Sequence, residues 1–174
     1  MRNQVILVIV LLFFVVLASG CISDNKQSNA TKTYNQNNVS FTYSGVWELA
    51  NTTSPNAVVA LADPNTIQNG SPTTLVVVQK PDVSKGSNLN DVYAANYKSF
   101  FNTTGYQEVS EGNLTINGGI ALENIYKSNT GVQKEYRAVW FNINGNIYVV
   151  LCSAKSTDFQ AQQDNFNLVI NSFK

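Results

Sequence analysis

Histidine is absent from this 174-residue chain, and cysteine occurs only twice. The first absence removes every hydrolytic triad that relays a proton through imidazole. With one spare thiol besides, zinc has no ligand set. No glycine-rich phosphate loop is present. The segment Asp63-Pro64-Asn65-Thr66-Ile67-Gln68-Asn69-Gly70 begins like a calcium loop. However, Ile67 fills a ligand position, the glycine is misplaced, and no glutamate follows at the twelfth place. A cationic stripe is missing too: Lys and Arg number 11 against 11 Asp and Glu. Nucleic acid therefore has no electrostatic footprint to meet, and an acidic membrane surface meets no basic patch. Glu108, Glu111, Glu123 and Glu135 fall on expected strands, where solvent-facing charge is the ordinary reading rather than paired acid–base work. The expectation is a protein that is not an enzyme, with no catalytic residue, no metal ligand and no cofactor.

What is present begins at the N-terminus. Met1-Arg2-Asn3-Gln4 precedes an unbroken apolar run from Val5 to Ala18, and the composition then turns polar. A basic residue, an apolar stretch and small residues are the layout of a secretory signal. The transition, Leu17-Ala18-Ser19-Gly20-Cys21, resembles a lipoprotein lipobox, with Cys21 as the lipidated residue. It departs from that pattern at Ala18, where Leu is usual and here sits one place earlier. A second reading is an uncleaved membrane helix, because Val5 to Ile22 carries no charge and about 18 such residues can span. Arg2 would stay inside and the rest of the chain outside. A third, a cleaved signal that frees the protein, leaves Cys21 without a role. The first two both tether the chain to a cell membrane, with its domain on the extracytoplasmic side.

Ile22 to Asn37 is polar and reads as a flexible stalk. The expected organisation is thus an anchor over residues 1–20, a lipidated cysteine and stalk over 21–37, and one domain over 38–174. About 150 residues beyond the anchor suit a single domain with a real core. Cys152 lies in the apolar strand Tyr148-Val149-Val150-Leu151-Cys152, so it reads as a core residue and, with Cys21 lipidated, has no disulfide partner. Asparagine is abundant, at 24 residues, and six Asn-x-Ser/Thr sequons occur, at Asn29, Asn38, Asn51, Asn69, Asn102 and Asn113. They are acceptors for N-glycosylation on an exported chain, although the Ser/Thr-rich composition accounts for most of them. The expected acceptors are Asn29, Asn38, Asn51, Asn102 and Asn113.

Val39, Phe41 and Tyr43 alternate with Ser40 and Thr42, as a half-buried strand does. Short extended pieces follow at Trp47–Leu49, Val58–Ala62 and Thr74–Gln79. A helix capped by Ser87 or Asn88 presents Leu89, Val92, Tyr93, Tyr97, Phe100 and Phe101 on one face. Four strands then run from Tyr106 to Ile116, Ile120 to Lys127, Val132 to Ile143 and Asn146 to Ser153, joined by turns rich in Asn and Gly. The Asn144-Gly145 turn sets Phe141 opposite Tyr148, Trp140 opposite Val149, Val139 opposite Val150 and Ala138 opposite Leu151. Both faces of this sheet are apolar and need cover. A terminal helix with a capping box from Thr157 to Gln160 supplies it through Phe159, Phe166, Val169, Ile170 and Phe173. The fold class is α+β, an antiparallel sheet with helices on both faces, an α/β/α sandwich.

That order of elements, with its wording, resembles the PsbP-like family. Val39-Ser40-Phe41-Thr42-Tyr43-Ser44-Gly45-Val46-Trp47 is similar to an opening of the type F-x-Y-P-x-x-W. The closing match is Asn144-Gly145-Asn146-Ile147-Tyr148-Val149-Val150, followed by a helix ending Ile170-Asn171-Ser172-Phe173-Lys174. Ser44 stands where proline is usual, which bears on the turn after the first strand. The resemblance implies proteins that act by binding other proteins: extrinsic photosystem subunits, a nuclear transport factor, and bacterial and archaeal lipoproteins. No set of functional residues carries over. Two functions follow as expectations. One is a surface-anchored interaction module with an unknown protein partner. The alternative is a small-ligand binding lipoprotein with its pocket between sheet and helix.

Overall fold

The computed structural model describes residues 30–100, 105–128 and 131–174, with side chains undescribed at 98–100. Cys21, Asn29 and Asn102, the apolar run Val5–Ala18, and the helix-face residue Phe101 lie outside what is described, as does the side chain of Phe100. Among the described residues no helix is long and apolar enough to cross a membrane.

Folded structure begins earlier than the polar composition suggests. Strand β1 (Thr31–Gln36) pairs antiparallel with β2 (Val39–Ser44), setting Tyr34 opposite Phe41. The reading of residues 21–37 as stalk is corrected for this strand. Asn37 and Asn38 take positive φ values of 54° and 61°, the left-handed pair that a two-residue hairpin turn requires. Only Tyr34 of β1 is buried, its ring stacked on Phe41 at 5.1 Å. One aromatic anchor and a turn thus order a segment whose composition is otherwise that of a linker. Gly45 follows β2, where a Cβ would lie 2.4 Å from the Ala30 carbonyl oxygen; the backbone bond from Gly45 N–H to that oxygen (2.7 Å) needs the missing side chain.

The main sheet has seven antiparallel strands. In chain order these are β3 (Glu48–Ala50), β4 (Ala57–Ala62), β7 (Leu75–Gln79), β8 (Tyr106–Ile116), β9 (Gly119–Ser128), β10 (Lys134–Ile143) and β11 (Asn146–Lys155); the short pair β5 (Ile67–Gln68) and β6 (Ser71–Pro72) forms a separate ribbon. The spatial order is β3-β4-β7-β11-β10-β9-β8. Asn144 and Gly145, at φ 53° and 78°, close the β10–β11 hairpin with every expected pair in register, Phe141 with Tyr148 and Trp140 with Val149 among them.

Alternation along β10 and β11 assigns each apolar side chain to one of two clusters. Val139, Phe141, Tyr148, Val150 and Cys152 pack with Phe166, Val169 and Ile170 of helix α2 (Gln163–Ser172) and with Phe173 beyond its end. Ala138, Trp140, Val149 and Leu151 pack with Leu89, Val92 and Tyr93 of helix α1 (Leu89–Phe100). Among the described residues the fold is mostly antiparallel sheet with two α-helices. Phe173 sits against Phe141 at 4.9 Å, Tyr148 at 5.9 Å and Phe41 at 6.1 Å, and Phe166 meets Trp47 edge-on at 6.1 Å. The outer edge of β2 is stitched to the last residue of the chain by Ser40 N–H to Lys174 O (2.7 Å) and Lys174 N–H to Ser40 O (3.0 Å).

Two local expectations are corrected. The capping box at Thr157 does not form. A 3-10 turn (Gln160–Gln162) precedes α2, no side chain caps either element, and the Thr157 hydroxyl bonds Asp158 instead. The Lys155 carbonyl takes the N–H groups of Asp158 and Phe159, so backbone does the work assigned to a side chain. Nor are Glu123 and Glu135 solvent-facing. Glu123 accepts from Arg137 at 2.6 Å and Glu135 pairs with Lys127 at 3.5 Å, with side chains only 18% and 14% exposed. Both lie on the α2 face, where an unpaired charge would be costly.

Because Phe166 is fully buried between Trp47 and Phe159, Phe166→Ala is expected to lower stability by about 3–5 kcal/mol, read from urea unfolding. A chain starting at residue 38 should unfold at lower urea than one starting at residue 30. Equal midpoints would return β1 to the stalk.

Candidate functional site

One cluster of polar side chains lies where α1 meets the sheet edge. Asn88 starts the helix: its Oδ1 accepts the N–H groups of Asn90 (2.9 Å) and Asp91 (3.2 Å). That start places Tyr93 over the sheet, its ring edge-on to Trp140 at 5.7 Å and stacked on Tyr97 at 4.9 Å. The Tyr93 hydroxyl donates to Glu111 Oε2 of β8 at 3.0 Å.

A β-bulge brings the second carboxylate. Between Glu108 and Ser110 the pairing of β8 with β9 shifts by one residue, leaving Val109 unpaired. Glu108 then stands opposite Tyr126, Glu111 opposite Asn124 and Asn113 opposite Leu122. All three share the α1 face; residues three apart on a regular strand would point to opposite faces. A depression of about 340 Å3 beside Glu111 is bounded by Asn90, Tyr93, Gly112, Asn113 and Leu122.

Burial first, then the hydrogen bond to Glu111, raises the Tyr93 pKa, so its hydroxyl stays a neutral donor. Tyr97 is raised by burial and next by the charges of Glu108 and Glu111. Beneath them the packing closes. Trp140 Nε1–H donates to Asn124 Oδ1 at 3.1 Å, and the space between sheet and α1, lined by Gln79, Asn96, Tyr97, Asn124, Tyr126 and Trp140 among others, is about 20 Å3. That is room for about one water molecule. The edge site is therefore a shallow acidic surface that offers carboxylates, amides and an aromatic rim to a cation or hydrogen-bond donor.

Among the acceptor sequons, Asn38, Asn51 and Asn113 are exposed, and so is Asn69; Asn113 alone borders the edge site. Cys152 is fully buried, and burial pushes its thiol up to about 12, which suits its reading as a core residue. Among the described residues no group of three or more His, Cys, Asp or Glu side chains is placed to hold a metal ion. Sequence reasoning missed the Tyr93–Glu111 contact and the Glu108–Glu111 alignment. The three-residue spacing of the two glutamates on one long strand was the available signal, but without a glycine nothing marked the bulge.

A family profile described as PsbP-like protein matches residues 5–174. Among solved structures, the chain is similar to cyanobacterial PsbP (CyanoP) from Synechocystis sp. PCC 6803, with a TM-score of 0.61 and 15% identity over 90% of this chain and 97% of that one. It is also similar to LpqN, involved in cell envelope biogenesis of Mycobacterium tuberculosis, with a TM-score of 0.58 and 13% identity over 83% of this chain and 90% of that one. No curated protein matches the sequence.

Two measurements test the buried groups. With Cys21→Ser leaving one thiol, Cys152 should ignore a disulfide reagent at pH 8 until denaturant is added; a free-thiol rate in the folded chain would contradict its burial. Tyr126 and Tyr136 are raised above 10.0 chiefly by burial, and Cys152 above 9.0. The folded chain thus holds protons that the unfolded chain releases, so stability is intact below about pH 9 and falls as pH rises further. Unfolding free energies measured across pH 7–11 should be level and then decline, with phenolate absorbance appearing together with unfolding.

Proposed function

Since the chain belongs to the PsbP-like protein family, we propose that it is a membrane-anchored, extracytoplasmic module that docks to another protein and performs no catalysis. The observation that carries this reading is the closed interior. A solute-binding lipoprotein with its ligand between sheet and helix needs a pocket of roughly 300 Å3 or more, whereas the space beneath α1 is about 20 Å3. The recognition features instead lie open along the edge of the sheet.

The opposite parity of the residues meeting α1 and α2 supports reading the fold as an α/β/α sandwich, with one helix on each face. In that arrangement both broad faces are occupied by the chain's own helices, and the sheet edge is what remains for a partner. The anchor reading rests on Arg2, the apolar run Val5–Ala18 and Cys21. Strand β1 starts at Thr31, and a link of about nine residues from Cys21 reaches at most ~30 Å. A tether of that reach suits a partner close to the membrane. The likeness to LpqN, involved in cell envelope biogenesis, agrees with such a location.

Fractionation of cells and mass spectrometry of the mature N-terminus test the tether. The protein is expected in the membrane fraction, with a diacylglyceryl thioether on Cys21 and loss of residues 1–20. Cys21→Ser should then block processing and lipidation. An intact N-terminus in the membrane fraction would establish the spanning helix instead. An unmodified soluble chain would overturn both forms of anchor.

A further inference from the structure

We propose that the outer edge of β8 is the docking site for an extended, lysine- or arginine-bearing segment of another polypeptide, which adds to the sheet as an eighth strand along Ser110–Ile116. This rests on the interaction-module reading above and names its surface and the chemistry of its partner.

The sheet ends at β8, which is eleven residues long, while the opposite edge, β3, has three. Seven consecutive residues of β8, Gln107 to Asn113, are exposed, and among the described residues no strand pairs with its outer side. Alternate residues of such a strand turn their N–H and C=O groups outward, unpaired. Proteins blunt long edges with lysine, proline or shortness. β8 has no Lys, Arg or Pro. Its one irregularity is the bulge at Val109, beyond which Ser110–Ile116 pairs residue for residue with Gly119–Ile125. That regular run of seven is a template for strand addition.

Charge selects the occupant. The bulge aligns Glu108 and Glu111 on one face, and among the described residues neither has an ion-pair partner. A second copy of this chain added through β8 would bring these carboxylates near their own kind, which is unfavourable between neighbouring strands. A basic segment meets them with opposite charge. The depression beside Glu111 adds a side-chain position. A lysine or arginine stem can lie against Tyr93 and Leu122, with its head group at Glu111 and hydrogen bonds to Asn90 and Asn113. Gly112 leaves the strand's backbone uncovered there, since a Cβ at that position would meet nothing within 4 Å.

The test uses the full-length chain in zwitterionic detergent and a fluorescent ten-residue peptide alternating lysine with valine. Two controls replace lysine by glutamate, or methylate the backbone nitrogens on one side of the extended peptide. We expect the lysine peptide to bind, the glutamate peptide not to bind, and methylation on one of the two sides to abolish binding while the other is tolerated. Glu108→Lys with Glu111→Lys should weaken binding by at least about tenfold, with the circular dichroism unchanged. Binding that survives methylation on either side would overturn strand addition, as would equal binding of both peptides. Sedimentation that shows a dimer dispersed by E108K/E111K would assign the edge to a second copy and also overturn the proposal. A photocrosslinker at Val109 or at Leu168, in native membranes, separates this claim from the broader one. Adducts at Leu168 alone would overturn the edge site and spare the interaction module; adducts at neither would sink both.

Discussion

Strand β11 has no side that faces water. Its residues Ile147 to Ala154 are all buried, and they alternate between the α1 cluster and the α2 cluster. A single antiparallel strand with eight buried residues cannot be satisfied by a hairpin or by one layer of cover. It requires neighbours on both edges, which β7 and β10 supply, and apolar side chains above and below. Residues of α2 belong to one cluster and residues of α1 pack against the other. Both clusters draw on this one strand, so loosening the packing of either weakens the other through it.

The α2 side carries an additional polar tie. Arg137 lies on the α2 face of β10, and its guanidinium donates to Glu123, to Gln163 at 3.0 Å and to Asn167 at 2.8 Å. Such a group is largely desolvated and tolerable only because its donors find acceptors. The arrangement fixes the azimuth of α2, since only one rotation of the helix brings both Gln163 and Asn167 to the same arginine. Trp47 offers the contrasting case. It is wholly buried against Phe166, and its Nε1–H finds no acceptor among the described residues, so its packing must outweigh an unsatisfied donor.

How much was legible from the sequence follows from the range of the interactions. The Asn144-Gly145 turn is chemically explicit, and with it the register of β10 and β11 and the two alternating sets of apolar side chains. The α1 start at Asn88 was local in the same way. What escaped were outcomes of competition. β1 looked like linker because one residue, Tyr34, carries its burial, and because an Asn37-Asn38 turn lacks the glycine that usually marks such hairpins. The Thr157 cap failed because the Lys155 carbonyl offered the chain a turn first. Glu123 and Glu135 looked exposed until Arg137 and Lys127, distant in sequence, drew them into ion pairs. The edge site needed the bulge at Val109, which nothing in a Glu-Val-Ser-Glu stretch announces. Side-chain chemistry that depends on neighbours distant in sequence was invisible; chemistry written into adjacent residues was not.

The ladder between Ser40 and Lys174 sets an order of events for the chain as it emerges. β2 can pair with β1 early, since their partners are a few residues apart, but Phe41 and Trp47 await Phe166 and Phe173 from the far end. Closing contacts separated by well over 100 residues is slow and carries most of its entropy cost before any reward. Until the last dozen residues arrive, the sheet lacks the cover of one helix and the β1–β2 hairpin lacks its outer neighbour. The core around Phe41 and Trp47 is therefore completed from the far side of the sequence, by Phe166 and Phe173.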